Sequence, residues 1–141
     1  MSNLPAGPAK FPTYLLDVSA LIALGVRQHQ FHLRVATWVA SRQFSALLTC
    51  PITELGFVRI LAQTPEYLAD VGQARTQLAQ IKLDPRYSIR FLSDDLDADG
   101  LPAWVKTGGQ TTDGHLLQLS TMHGAVLATL DGKIPGAFVI P

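Results

Sequence analysis

Four carboxylates, Asp17, Glu54, Asp113 and Asp131, each stand at the edge of an otherwise apolar segment. Asp17 closes the run Tyr14-Leu15-Leu16, and Asp131 closes a run from Ala125 to Leu130. Both runs read as buried parallel strands, and in an open α/β sheet the ligand crevice lies beyond the carboxyl ends of such strands. Glu54 heads a stripe continued by Phe57, Val58 and Leu61, and Asp113 heads one continued by Leu116 and Leu117. Spacings of three and four residues place both acids on helix faces that turn coreward. Carboxylates converging on one crevice repel one another, and some must take up protons unless a cation neutralises them. Oxygen-only ligation favours Mg²⁺, with Mn²⁺ able to substitute.

Taken singly, each acid has an ordinary explanation. Asp17 can cap the following helix, Glu54 and Asp113 can favour the positive end of a helix dipole, and Asp131-Gly132 is a common turn dipeptide. Only convergence in space separates the two accounts, and spacing alone leaves both open.

The elements that must position these acids alternate. A strand over 13–17 leads to a short helix capped by Ser19 and running through Leu24. Phe31, Val35, Trp38 and Val39 predict an amphipathic helix ending near Arg42. A strand over 46–50 precedes a helix opened by Pro51, and a further helix over 68–81 ends at Asp84-Pro85. A strand over 88–92 is followed by a loop-rich stretch to Gln110, with one helical turn near 102–105. Thr111 or Thr112 is expected to cap the helix holding Asp113, Gly124 to end it, and strands over 125–130 and 137–140 to complete the chain. Such alternation implies an α/β fold with a mainly parallel central sheet of four to five strands flanked by helices. Residues 1–12, with three prolines, read as an irregular N-terminal segment, and 13–141 as one domain.

Composition narrows the class. Lys plus Arg and Asp plus Glu both number 11, so no global positive field points to nucleic acid, and any such contact must be local. Charged residues make up 16% of the 141, below the usual share of roughly 25%, which suggests a surface partly covered by another protein. The single cysteine, Cys50, excludes an internal disulfide and fits a reducing compartment. No apolar run reaches the roughly 20 residues of a membrane span, so a cytoplasmic protein is expected.

The strings Tyr14-Leu15-Leu16-Asp17-Val18-Ser19-Ala20-Leu21, Thr53-Glu54-Leu55-Gly56-Phe57-Val58-Arg59, Thr112-Asp113-Gly114-His115-Leu116-Leu117 and His123 to Asp131 resemble, in that order, a PIN-domain ribonuclease, and more narrowly the VapC-type toxins of bacterial toxin-antitoxin pairs. The resemblance spans about 13–140. It implies a PIN-like three-layer fold, with Asp17, Glu54, Asp113 and Asp131 as the acidic quartet and Ser19 and Thr129 as assisting polar residues. It further implies Mg²⁺ held by Asp17, Asp113 and Asp131 for hydrolysis of RNA, with Glu54 on the outer side as ligand or water positioner. A cognate antitoxin and a homodimer are expected partners. The chain departs from the pattern at Gly114, where alanine is more usual, and at Leu130, where an aromatic is common.

Candidates for RNA contact are Arg59, His115, and the segment carrying Lys106, Gly108 and Gly109, where glycine permits close backbone approach to phosphate and lysine supplies counter-charge. Asp94, Asp95, Asp97 and Asp99 lack the following glutamate of a calcium loop and read as a hydrated connection. His29 and His32 lack the partners a zinc site needs. Two other classes remain to be separated. A phosphatase or phosphotransfer domain would also use a strand-end aspartate, but Ser19 stands where a second aspartate is needed. A non-catalytic RNA-binding or protein-interaction module would keep the fold without the chemistry.

Overall fold

Three short apolar segments, each flanked by a helix, determine the architecture. In the computed structural model, which describes residues 12–42 and 46–141, β1 (Tyr14–Leu16) is buried along its whole length and pairs in parallel with β2 (Leu47–Thr49) on one side and β4 (Val126–Thr129) on the other. β3 (Ile89–Phe91) and β5 (Phe138–Val139) extend the two edges, giving a five-stranded, all-parallel sheet of order β3-β2-β1-β4-β5. Strands buried on both faces need no polar alternation, which is why β1 and β2 read as continuous apolar runs.

Helices cover both faces, giving the three-layer arrangement expected from sequence. On one face Leu16 and Leu47 pack with residues of α1 (Val18–Gly25), α2 (His32–Ser41), α3 (Pro51–Gln63) and α4 (Val71–Leu83), around fully buried Phe57. On the other, Leu15, Leu48 and Leu127 pack against Leu116 and Leu119 of α5 (Thr111–Met122). Strand order reverses between β1 and β4, so the crevice beyond their carboxyl ends is the natural ligand position of such a sheet.

Helix boundaries differ locally from expectation. Asp17, not Ser19, caps α1, because its carboxylate lies in line with the Ala20 N–H. α4 starts three residues later than Leu68, which adopts a left-handed φ of 51° after a 3-10 turn (Pro65–Tyr67), and Asp70 with Gln73 forms the capping box. Gln110 rather than a threonine occupies the N-cap of α5, and its side-chain oxygen accepts from the Lys106 and Thr107 N–H groups. Gly124, at φ +66°, lies just beyond α5 as expected. The expected irregular segment 1–12 lies, apart from Pro12, outside the described residues. No helix among the described residues is long and apolar enough to cross a membrane.

Candidate active site

Asp17 stands at the strand reversal, 5% exposed, with most of its lone pairs already directed. Oδ1 accepts from the Ser19 hydroxyl at 2.8 Å and the Ala20 N–H at 2.8 Å, while Oδ2 accepts from the Thr129 hydroxyl across the β1–β4 gap. Thr129 is fully buried, and its Oγ1 in turn accepts the Asp131 N–H at 2.9 Å. The expected assistance of Ser19 and Thr129 therefore takes a specific form: both hold the Asp17 carboxylate. A carboxylate offers about four lone-pair positions, so three donors leave room for one further ligand.

Asp113, in the first turn of α5, and Asp131, just past β4, line the same cleft as Asp17. The cleft measures about 480 Å³ and is also lined by Ser19, His29, Arg59, Tyr67 and Thr112. Burial pushes the Asp113 carboxyl above the ordinary range, and the charges of Asp17 and Asp131 push it further. Burial likewise raises Asp17, and repulsion from Asp131 adds to it; the Thr129, Ala20 and Ser19 hydrogen bonds pull the other way without cancelling the rise. Among the described residues no lysine, arginine or histidine forms an ion pair with any of the three. Three carboxylates crowded in one cleft without an ion-pair partner are the donor chemistry that a hard divalent cation suits.

The side chains do not by themselves enclose an ion: no group of three His, Cys, Asp or Glu among the described residues is gathered tightly enough for that. Mg²⁺ ordinarily keeps several waters and takes only one or two carboxylates directly, so an open arrangement of this kind is compatible with it.

Glu54 stands apart. It does not line the cleft, and its Oε2 receives the Thr49 hydroxyl at 2.6 Å and the Lys82 ammonium at 2.8 Å. Arg59, roughly one and a half turns further along α3 and so on another face of it, does line it. Lys106 is exposed, and Gly108 and Gly109 form a 3-10 turn at the entrance to α5, where a Cβ on Gly108 would meet nothing within 4 Å. His115 lies outside the cleft lining, with Nε2 2.6 Å from Asp94 Oδ2 in a mostly enclosed pair. Burial of Asp94 is outweighed by this hydrogen bond, by the Leu96 N–H and by the charges of His115 and His123, leaving its pKa below the ordinary range. Asp94 is thus a tied residue rather than part of a hydrated connection.

Sequence reasoning missed Thr49, Lys82 and Tyr67 in and around the site, and took Thr112 only as a candidate helix cap. Tyr67 and Lys82 come from elements whose approach depends on tertiary packing, whereas Thr112 was visible as the neighbour of Asp113. A larger surface cavity, about 1110 Å³, lies between α1, α2 and α4 and holds none of the four acids. Charge crowding, not volume, distinguishes the smaller cleft.

The chain is 35% identical over 122 residues to Ribonuclease VapC38 of Mycobacterium tuberculosis, an alignment covering 85% of this chain and 86% of that protein. Ribonuclease VapC29 of the same species is 35% identical over 123 residues, covering 86% and 88% of the two chains. Ribonuclease VapC39, also of that species, is 32% identical over 130 residues, covering 86% and 91%. No family model matches the chain.

Proposed function

The chain belongs to the VapC ribonucleases, and from that premise we propose that it is an Mg²⁺-dependent endoribonuclease, with Mn²⁺ able to substitute, acting as the toxin of a toxin-antitoxin pair. The observation that supports the site assignment is the convergence of Asp17, Asp113 and Asp131 on one cleft at the strand reversal. The metal, when bound, supplies a water of lowered pKa and neutralises charge on the phosphate oxygens.

The residues of the chain prepare for that chemistry. Thr129, Ser19 and the Ala20 N–H fix the Asp17 carboxylate, so it needs little reorganisation to present its remaining lone pair. Asp113 and Asp131 complete the acidic wall, and the burial and repulsion that hold the Asp113 carboxyl above the ordinary range are what a bound cation would relieve. Arg59 is the cleft cation suited to an RNA phosphate, and Lys106 with Gly108 and Gly109 is suited to the backbone beyond it. Glu54 acts from the outer side. Water is the nucleophile, so no covalent bond between protein and RNA forms.

The cognate antitoxin and a second copy of the chain are the proposed partners, in the cytoplasm, with 13–141 as one domain. Low charge content and the exposed side chains of Leu33, Leu68 and Leu83, at 77%, 87% and 82%, support a surface that partners cover.

Purified protein incubated with a mixed RNA pool tests this reading in three arms: with Mg²⁺, with EDTA, and as Asp17→Asn. Cleavage confined to the first arm is the expected result. Cleavage that survives both metal removal and the substitution would defeat the mechanism, and RNA binding without cleavage in any arm would favour the non-catalytic module.

A further inference from the structure

We infer that Lys82, on α4, is a positioning residue of the nuclease site, acting through Glu54; the inference rests on the ribonuclease reading above. Lys82 and the acidic cleft belong to different parts of the fold, and nothing in the motif strings includes it. Its ammonium lies 2.8 Å from Glu54 Oε2 and 5.5 Å from the centre of the Phe91 ring at the end of β3. The Thr49 hydroxyl, at the end of β2, reaches the same Oε2 at 2.6 Å. Two donors from two elements thus converge on one oxygen of a side chain that has three rotatable bonds, and the aromatic face restrains the longer of them.

The arrangement has a definite consequence for a site built from repelling acids. With Oε2 held, Oε1 is the only Glu54 oxygen left for a water or a substrate group. The lysine also offsets the Glu54 charge on the outer side of the cleft, so a carboxylate is held there without remaining unpaired. Side-chain exposures of 32% for Lys82 and 18% for Glu54 place the pair at the rim, where it can be lost without opening the core.

A double-mutant cycle on the Mg²⁺-loaded protein tests the inference, with Lys82→Met, Lys82→Arg, Glu54→Gln and Lys82→Met/Glu54→Gln assayed for kcat and KM on a fluorescent single-stranded RNA, and each variant checked for melting temperature. Lys82→Met is expected to lower kcat roughly tenfold, as loss of a supporting partner of a site residue does, with KM little changed. Lys82→Arg should restore most of the rate. In the Glu54→Gln background the Lys82→Met change should cost little more, because its route to the site is already cut. An equal loss in both backgrounds, or a rise in KM with kcat intact, would overturn the inference, the latter by making Lys82 a direct RNA contact. Wild-type protein that cleaves while Glu54→Gln cleaves as well as wild type would also overturn it, leaving the ribonuclease reading intact. A wild-type protein inert toward RNA would defeat that reading instead.

Discussion

Thr129 donates its hydroxyl hydrogen to Asp17 Oδ2 and accepts the backbone N–H of Asp131, so one buried hydroxyl ties the carboxyl ends of β1 and β4 together. The two strands are neighbours only because the sheet order reverses there, and the residues are 112 positions apart. Replacing Thr129 by valine keeps shape and β-branching but strips the Asp17 carboxylate and the Asp131 N–H of their partner. Buried groups left unsatisfied cost about 1–3 kcal/mol, so Thr129→Val should lower the urea midpoint accordingly and reduce RNA cleavage as well. Unchanged stability and cleavage would show that the contact is dispensable.

Binding of Mg²⁺ should stabilise the fold and should depend on Asp113. A ligand at a hundred times its dissociation constant stabilises by about 2.7 kcal/mol, and relief of repulsion among three carboxylates works in the same direction. Melting temperature should therefore rise with Mg²⁺ in the wild type and stay flat in Asp113→Asn. An equal rise in both would place the ion elsewhere.

Without metal, the raised carboxyl of Asp113 makes a pH prediction whose sign is opposite to that of an ordinary salt-bridged acid. Its folded pKa exceeds the ordinary value of 3.8, so between the two values the native state holds more protons than the unfolded chain. Its contribution is fully present below 3.8 and is lost as pH rises through the folded pKa. Asp84 and Asp94 are shifted downward and slope the other way, so the difference between wild type and Asp113→Asn is the useful quantity. In EDTA the wild type should lose stability relative to the variant as pH rises from 4 toward neutrality. A relative gain would contradict the burial and repulsion assigned to Asp113.

The parts of this architecture that were legible in sequence are those that local pattern determines. Leu15 and Leu127 lie in apolar runs that read as buried strands, and the acids closing those runs were visible by position alone. Parallel order was implied by alternation, but the reversal between β1 and β4 was not, since no local signal reports which strands become neighbours. Asp17 served both as a helix cap and as a cleft acid, so its two readings were never exclusive. Glu54 shows the limit: residues four apart told which way it turned, yet its partner Lys82 arrives from a helix 28 positions on. The Asp94–His115 pair was hidden for the same reason, 21 residues separating an apparent acidic loop from the histidine that ties it.

Gly114, the departure from the family pattern beside Asp113, has a steric cause that yields a final prediction. A Cβ at this position would lie 2.3 Å from Val105 Cγ2 and 3.3 Å from Pro102 Cδ, on the turn that the Val105 N–H closes onto the Pro102 carbonyl at 3.0 Å. Gly114 is buried in the first turn of α5, where alanine would otherwise be the better helix former by about 1 kcal/mol. The clash must therefore outweigh that gain, since overpacking costs about 1–3 kcal/mol when neighbours cannot move aside. Gly114→Ala should be destabilised in urea, and because the helix carries Asp113 it should also lose cleavage. Val105→Ala removes the obstructing methyl groups, so the double variant Gly114→Ala/Val105→Ala should be more stable than the two single losses sum to. Simple additivity would mean that the turn shifts freely and that glycine is retained here for another reason.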